Sequence, residues 1–154
     1  MIARDQEDID LATGLVRLSH LVQGVFARVS DRHDLTPAQA RILCILAERP
    51  KGMAELAGLL GVEKAGLTGL VDRVEHRSLV ERRAVPGDRR AWQVTLTGIG
   101  RQAAVTVHNE VCAELGEIVG ELPPGEPERL RRILARVITT HGAPPIFPAI
   151  AQRA

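Results

Sequence analysis

A change of period constrains this chain more than any other feature. Apolar residues recur at helical spacing on either side of residues 79–96, and within that stretch they alternate instead. Just before the change, Met53-Ala54-Glu55-Leu56-Ala57-Gly58-Leu59-Leu60 makes two turns of helix. Gly61 can take the left-handed conformation that ends it, and a second helix follows from Lys64 to about Val74. Leu56, Leu60, Val62, Leu67, Leu70, Val71 and Val74 are spaced to share one core, and Ala57 is small enough to let the two helices approach. The spacing predicts a helix-turn-helix, with a plain helical hairpin as the alternative for this segment taken alone. Leu79 to Ala84 then reads as a strand, Val85-Pro86-Gly87-Asp88 as a turn, and Ala91 to Leu96 as the returning strand. An isolated hairpin is only marginally stable, so Leu79, Val94 and Leu96 are expected to pack on the preceding helices, with Trp92 at the hairpin base.

Helix, turn, helix, hairpin is the order of a winged helix-turn-helix, and the rest of the chain fits around it. Leu11, Leu15, Leu18, Val22, Val25 and Val29 form one apolar stripe of a helix from about Asp8 to Asp31, a narrow seam suited to another helix or subunit. Thr36-Pro37-Ala38-Gln39 carries the residues of a capping box, opening a helix that stops before Pro50-Lys51-Gly52. Thr97 is placed to cap a long helix over residues 98–120. Leu122-Pro123-Pro124-Gly125 breaks it, and a last helix runs from about Glu126 to Thr140. The tail from Gly142 to Ala154 holds Pro144, Pro145 and Pro148 and should be irregular, with Ile146, Phe147 and Ile150 docking on the body. The expectation is a single, mainly α domain over residues 1–154, with about six helices and a small β-hairpin wing.

Composition excludes several classes. Apolar residues at 45% and charged residues at 25% rule out a disordered or collagen-like chain. No apolar run reaches the roughly 18 residues of a membrane span, and the acidic opening MIARDQEDID is not a basic-then-apolar leader, so a cytoplasmic protein without a membrane partner is expected. Cys44 and Cys112 read as buried free thiols rather than a disulfide framework. There is no serine nucleophile elbow, phosphate-cradling glycine loop or paired His-Glu metal motif, so an enzyme is not expected and neither is a cofactor. The net charge of +1 hides a local excess: residues 64–94 carry seven basic against four acidic groups.

The run Asp88-Arg89-Arg90-Ala91-Trp92-Gln93-Val94-Thr95-Leu96-Thr97 resembles the wing signature of the MarR family of bacterial transcriptional regulators: Asp, any residue, Arg, three residues, Val, any residue, Leu, Thr. Leu35-Thr36-Pro37-Ala38-Gln39 resembles that family's start of the second helix, and Leu79-Val80-Glu81-Arg82 its approach to the wing. The resemblance implies a sequence-specific DNA-binding regulator, usually a repressor. It implies a symmetric homodimer on a palindromic double-stranded operator, released when a small anionic or phenolic ligand, an oxidant or a metal changes the separation of the two recognition helices. The apolar stripes left over on the first and last helices would then form the interface, over about residues 8–25 and 122–150.

Within such a protein the start of the second helix of the pair meets base edges first, which selects Lys64 and Thr68, with Arg73 toward a phosphate. The resemblance places Arg90 in the minor groove with Arg89 beside it, and Asp88 orienting the tip. Met53 and Glu63 stand where the family often has Ser or Thr, and Gly66 and Gly69 add no side chain to the reading surface. Arg17 and His20 are candidates to line an effector pocket. The resemblance to redox-sensing relatives stops at the absence of tyrosine and of any cysteine before Cys44, which argues against peroxide sensing. His108 and Cys112, four apart with Glu110 and Glu114 nearby, leave a metal-responsive regulator as an alternative, although two ligands are not a zinc site and no metal is assigned. A winged helix used only for protein contacts is the other alternative.

Overall fold

In chain order the elements of the computed structural model are α1 (Leu11–Arg32), α2 (Pro37–Leu46), β1 (Lys51–Gly52), α3 (Met53–Leu60), α4 (Lys64–His76), β2 (Val80–Val85), β3 (Asp88–Leu96), α5 (Gly98–Gly120) and α6 (Glu126–His141). The structure describes residues 9–143 together with Phe147, Pro148 and Ile150. The six helices, the helix pair and the hairpin of a winged helix-turn-helix are all present.

Local chemistry sets most boundaries. The Asp10 carboxylate accepts from the amides of Ala12 and Thr13 at 3.0 and 3.1 Å, so α1 starts at Leu11, later than the sequence suggested, and Asp8 lies outside the described residues. Thr36 Oγ1 accepts from the amide of Gln39, and the Gln39 side chain accepts from the amide of Thr36, completing the capping box of α2. Gly61, at φ 65°, terminates α3 in the left-handed region that a side chain would disfavour. Thr97 caps α5 by accepting from the amide of Gly100 at 3.0 Å, while its hydroxyl donates to the carbonyl of Ser78. Gly100 lies so close to the strand side that a Cβ would stand 1.8 Å from the carbonyl oxygen of Leu79.

The sheet departs from the expected two-stranded hairpin. Its order is β1-β3-β2, because Lys51 and Gly52 pair antiparallel with Val94 and Gln93. Two residues are too few to show alternation, so nothing local announces this strand. Its opening residue, Lys51, is buried, with Nζ 2.8 Å from the Glu48 carboxylate and 3.8 Å from that of Glu55. That position locks the end of α2, the start of α3 and the central strand together. β3 also begins at Asp88 rather than Ala91, and the ladder slips between Ala84 and Val85, so the turn tightens to Pro86 and Gly87.

One core joins α2, α3, α4, the sheet, α5 and the second half of α1. Val25, Val29, Ile42, Leu43, Ile45, Leu56, Leu67, Val71, Val74 and Val107 are all buried in it. Leu79 and Val94 pack there as the alternation predicted, and Phe147 and Ile150 dock against it from the tail. Pro144, Pro145 and Ile146 lie outside the described residues. Two expectations fail. Trp92 is not packed at the hairpin base but is 57% exposed, since Ala84 across the ladder is too small to cover it. Cys112 is exposed, because it lies one position beyond buried Val111 on α5, whereas Cys44 is buried as expected.

Candidate nucleic-acid interface

α4 presents a defined surface. Leu67, Val71 and Val74 anchor it in the core. At about 3.6 residues per turn, the line opposite those anchors runs through Ala65, Gly69 and His76, with Lys64 and Thr68 on one flank and Arg73 beyond the midline on the other. Lys64 and Thr68 are therefore neighbours, and Arg73 does not join them. The Thr68 hydroxyl donates to the carbonyl of Lys64 at 3.0 Å, which leaves its methyl group and oxygen lone pairs facing outward. Glu63 provides no side-chain cap, so the first amides of α4 keep their unpaired N–H groups and the positive end of the helix dipole.

Pairing divides the basic excess of residues 64–94. Arg82 donates to Asp72 at 2.6 Å and also to Glu75, tying the wing to α4, and Arg83 pairs with Glu81. Their charge is largely neutralised. Arg77 donates to the carbonyl of Asp34. Arg89, Arg90, Lys64 and Arg73 are exposed and have no carboxylate partner among the described residues. The Asp88 carboxylate accepts from the backbone N–H of Arg90 at 3.0 Å, which fixes the strand just past the turn rather than gripping an arginine side chain. The net positive potential thus lies at the far end of the wing and along the start of α4.

The effector and metal candidates are placed differently. Arg17 and His20 lie on the exposed first half of α1, and neither lines the open dish formed by Ala27, Arg28, Asp31, Asp34, Leu35, Thr36 and Pro37. Cys112 Sγ lies 3.8 Å from His108 Nδ1, but the His108 ring stacks on Phe147 with centroids 4.5 Å apart. Glu110 and Glu114 turn toward α1, pairing with His33, Arg32 and Arg28. Among the described residues no three His, Cys, Asp or Glu side chains gather as a metal site. Burial pushes the Cys44 thiol up to about 12, with a smaller contribution from Cys112, and burial also raises Cys112. Cys44 is thereby kept from the thiolate form that reacts with oxidants.

The sequence reading missed Lys51, whose burial depends on a strand it could not foresee, and the exposure of Trp92. The only local signal for either was Trp92 lying two residues from Arg90 in a strand, where alternate residues share a face.

A helix pair beside a three-stranded wing with unpaired arginines defines a winged helix-turn-helix DNA-binding protein. A sequence model of the MarR family matches residues 33–91, from the end of α1 through the wing arginines. The HTH-type transcriptional repressor NicR of Pseudomonas putida is 33% identical over 117 residues, spanning 74% of this chain and 73% of that one. The structure of Rv1404 from Mycobacterium tuberculosis superposes with a TM-score of 0.76 at 31% identity, over 87% of this chain and 93% of the other. Rv2887, a MarR family protein of the same organism solved with salicylic acid, shares the fold with a TM-score of 0.69 at 23% identity, over 85% and 98%. The chain belongs to the MarR family and is a DNA-binding transcriptional regulator, not an enzyme. Among the described residues no helix is long and apolar enough to cross a membrane.

Proposed function

We propose that the chain is a repressor that acts as a homodimer in the cytoplasm. Each copy sets α4 in the major groove of one half of a palindromic operator and Arg90 in the adjacent minor groove. One observation carries the reading: four arginines lie in the wing strands, and only Arg89 and Arg90, at the outer end, are left without a carboxylate. A narrow minor groove is the strongest attractor for such a guanidinium. Lys64 and Thr68 then read base edges from one flank of α4, Arg73 meets a phosphate from the other, and Asp88 holds the strand that carries Arg90.

The dimer is supported by the apolar residues that a single chain leaves in water. On α1, Leu11, Leu15 and Leu18 are exposed, and on α6 so are Ile133, Leu134, Val137 and Ile138. The release ligand is a small anionic or phenolic compound, the class to which the salicylic acid held by Rv2887 belongs. Its candidate contacts are Arg17 and His20, which a second copy would enclose.

The test is Arg90→Ala in fluorescence anisotropy with a labelled duplex from the chain's own upstream region, across a salt series. Binding should weaken by about tenfold or more and the salt slope should fall by about two, one for each copy of Arg90, while light scattering shows the same dimer. Equal affinity and slope would remove Arg90 from the interface.

A further inference from the structure

We propose that Trp92 is a DNA contact, its indole lying on the sugar–phosphate strand between the two grooves and its Nε1–H donating to a phosphate oxygen. The proposal rests on the DNA-binding reading above and adds a residue between its two halves.

In the regular part of the ladder Arg82 faces Val94 and Ala84 faces Trp92, so Trp92 and Val94 share a face about 7 Å apart, and the register slip then leads to Arg90 on the turn side of Trp92. Val94 is buried, and Arg82 directly across from it reaches Asp72 and Glu75, which identifies this as the face turned toward α4. Leu79, just before β2, donates its N–H to the carbonyl of Val74, and Arg82, three residues on, reaches Glu75 and Asp72. The next pair on that face, Ala84 and Trp92, therefore lies between the Arg82 contacts on α4 and the arginines at the outer end of the wing. The major and minor grooves of a duplex are separated by one phosphodiester strand. With α4 in the first and Arg90 in the second, whatever lies between them crosses that strand.

Trp92 suits that place. Its N–H donates only, as a phosphate oxygen requires, and its ring body covers sugar at little conformational loss. It is 57% exposed, so apolar area remains for a partner to bury. The neighbouring unpaired cations, Arg89 and Arg90, favour a polyanion over a basic or neutral protein surface.

Trp92 is the sole tryptophan and the chain has no tyrosine, so intrinsic emission reports this one site. The full chain is titrated at low salt with an unlabelled duplex from its own upstream region, in parallel with anisotropy of the same duplex labelled. Emission should change with the same midpoint as anisotropy and recover as salt is added. Trp92→Ala should bind about tenfold more weakly and Trp92→Phe, which keeps a ring but loses the donor, a few-fold more weakly, both with unchanged circular dichroism. Flat emission while anisotropy reports binding, or an unchanged affinity of Trp92→Ala, overturns the proposal and leaves the DNA-binding reading standing. Absence of any anisotropy change for the unaltered chain overturns both.

Discussion

The DNA-binding lobe and the terminal helices handle apolar surface in opposite ways. From α2 to β3 nearly every large aliphatic side chain has a place inside: Ile42, Leu43, Ile45, Leu56, Leu67, Val71 and Val74 are fully buried. α6 buries none of its residues, although Leu130, Ile133, Leu134, Val137 and Ile138 follow the i, i+3, i+4, i+7, i+8 pattern of a packed helix. The first half of α1 behaves like α6 and its second half like the lobe, since burial begins only at Val25. A helix gets most of its stability from packing an apolar face rather than from intrinsic propensity. One chain therefore contains the information to order the lobe, whereas nothing among its described residues covers the apolar stripe of α6.

The contrast breaks most severely if the lobe itself is opened. Gly100→Ala places a Cβ against the backbone of Leu79, where Thr97 and the start of α5 lock onto the strand side, and backbone cannot rotate away as a side chain can. We expect roughly 3 kcal/mol or more of destabilisation, read as a fall in Tm of about 10 °C. A Tm like that of the unaltered chain would mean that the junction has slack. Val137→Glu acts on the other region. It places a carboxylate in the proposed seam, where desolvation without a partner is costly, and light scattering should show a monomer. Operator affinity should fall about a hundredfold or more, because two linked half-sites become separate events. A dimer that survives the substitution would move the interface away from α6.

The same contrast explains what could be read from the sequence. The capping box at Thr36 to Gln39, the left-handed Gly61 and the stripes of α1 and α6 depend on neighbours within a turn or two, and they stand as expected. The strand at Lys51 and Gly52 depends on Val94 and Gln93 some forty residues away, and the exposure of Trp92 depends on Ala84 across the ladder. Neither leaves a periodic trace. At the site, the basic excess was legible as a sum, but its division was not, because Arg82 finds Asp72 and Glu75 only once the wing lies on α4. The separation of Arg73 from Lys64 and Thr68 is different: it follows from helical spacing alone.

A smaller effect sharpens the question of what the outer surface of α4 is for. Gly66 is exposed, and a Cβ there would meet nothing within 4 Å, so the lobe has no packing reason to keep a residue that weakens a helix. Gly66→Ala should raise the Tm by about 2 °C, corresponding to a gain of up to about 1 kcal/mol. If the bare backbone is there to let α4 settle close to the groove, the same variant should bind the duplex a few-fold more weakly. Stabilisation with unchanged binding would assign no role in DNA approach to this glycine.

The smallest effect lies at the joint between the two regions, where the second half of α1 meets α5. Glu114 is held below the usual carboxylate range, first by its hydrogen bond from Arg32 and then by Arg28, while Glu110 alongside meets His33 and Arg32. A carboxyl whose folded pKa is depressed favours the folded state above its unfolded value, here 4.5, and that contribution fades as pH falls through the folded value. Both partners are solvated, so the stabilisation at neutral pH is slight. Glu114→Gln should therefore lower the Tm slightly at pH 7, and the two melting curves should converge as pH drops below 4.5. A gap that persisted in acid would show that Glu114 supports the joint through packing or neutral hydrogen bonding rather than charge. In that case α1 would be held to the lobe by shape along its second half, and salt would not loosen it.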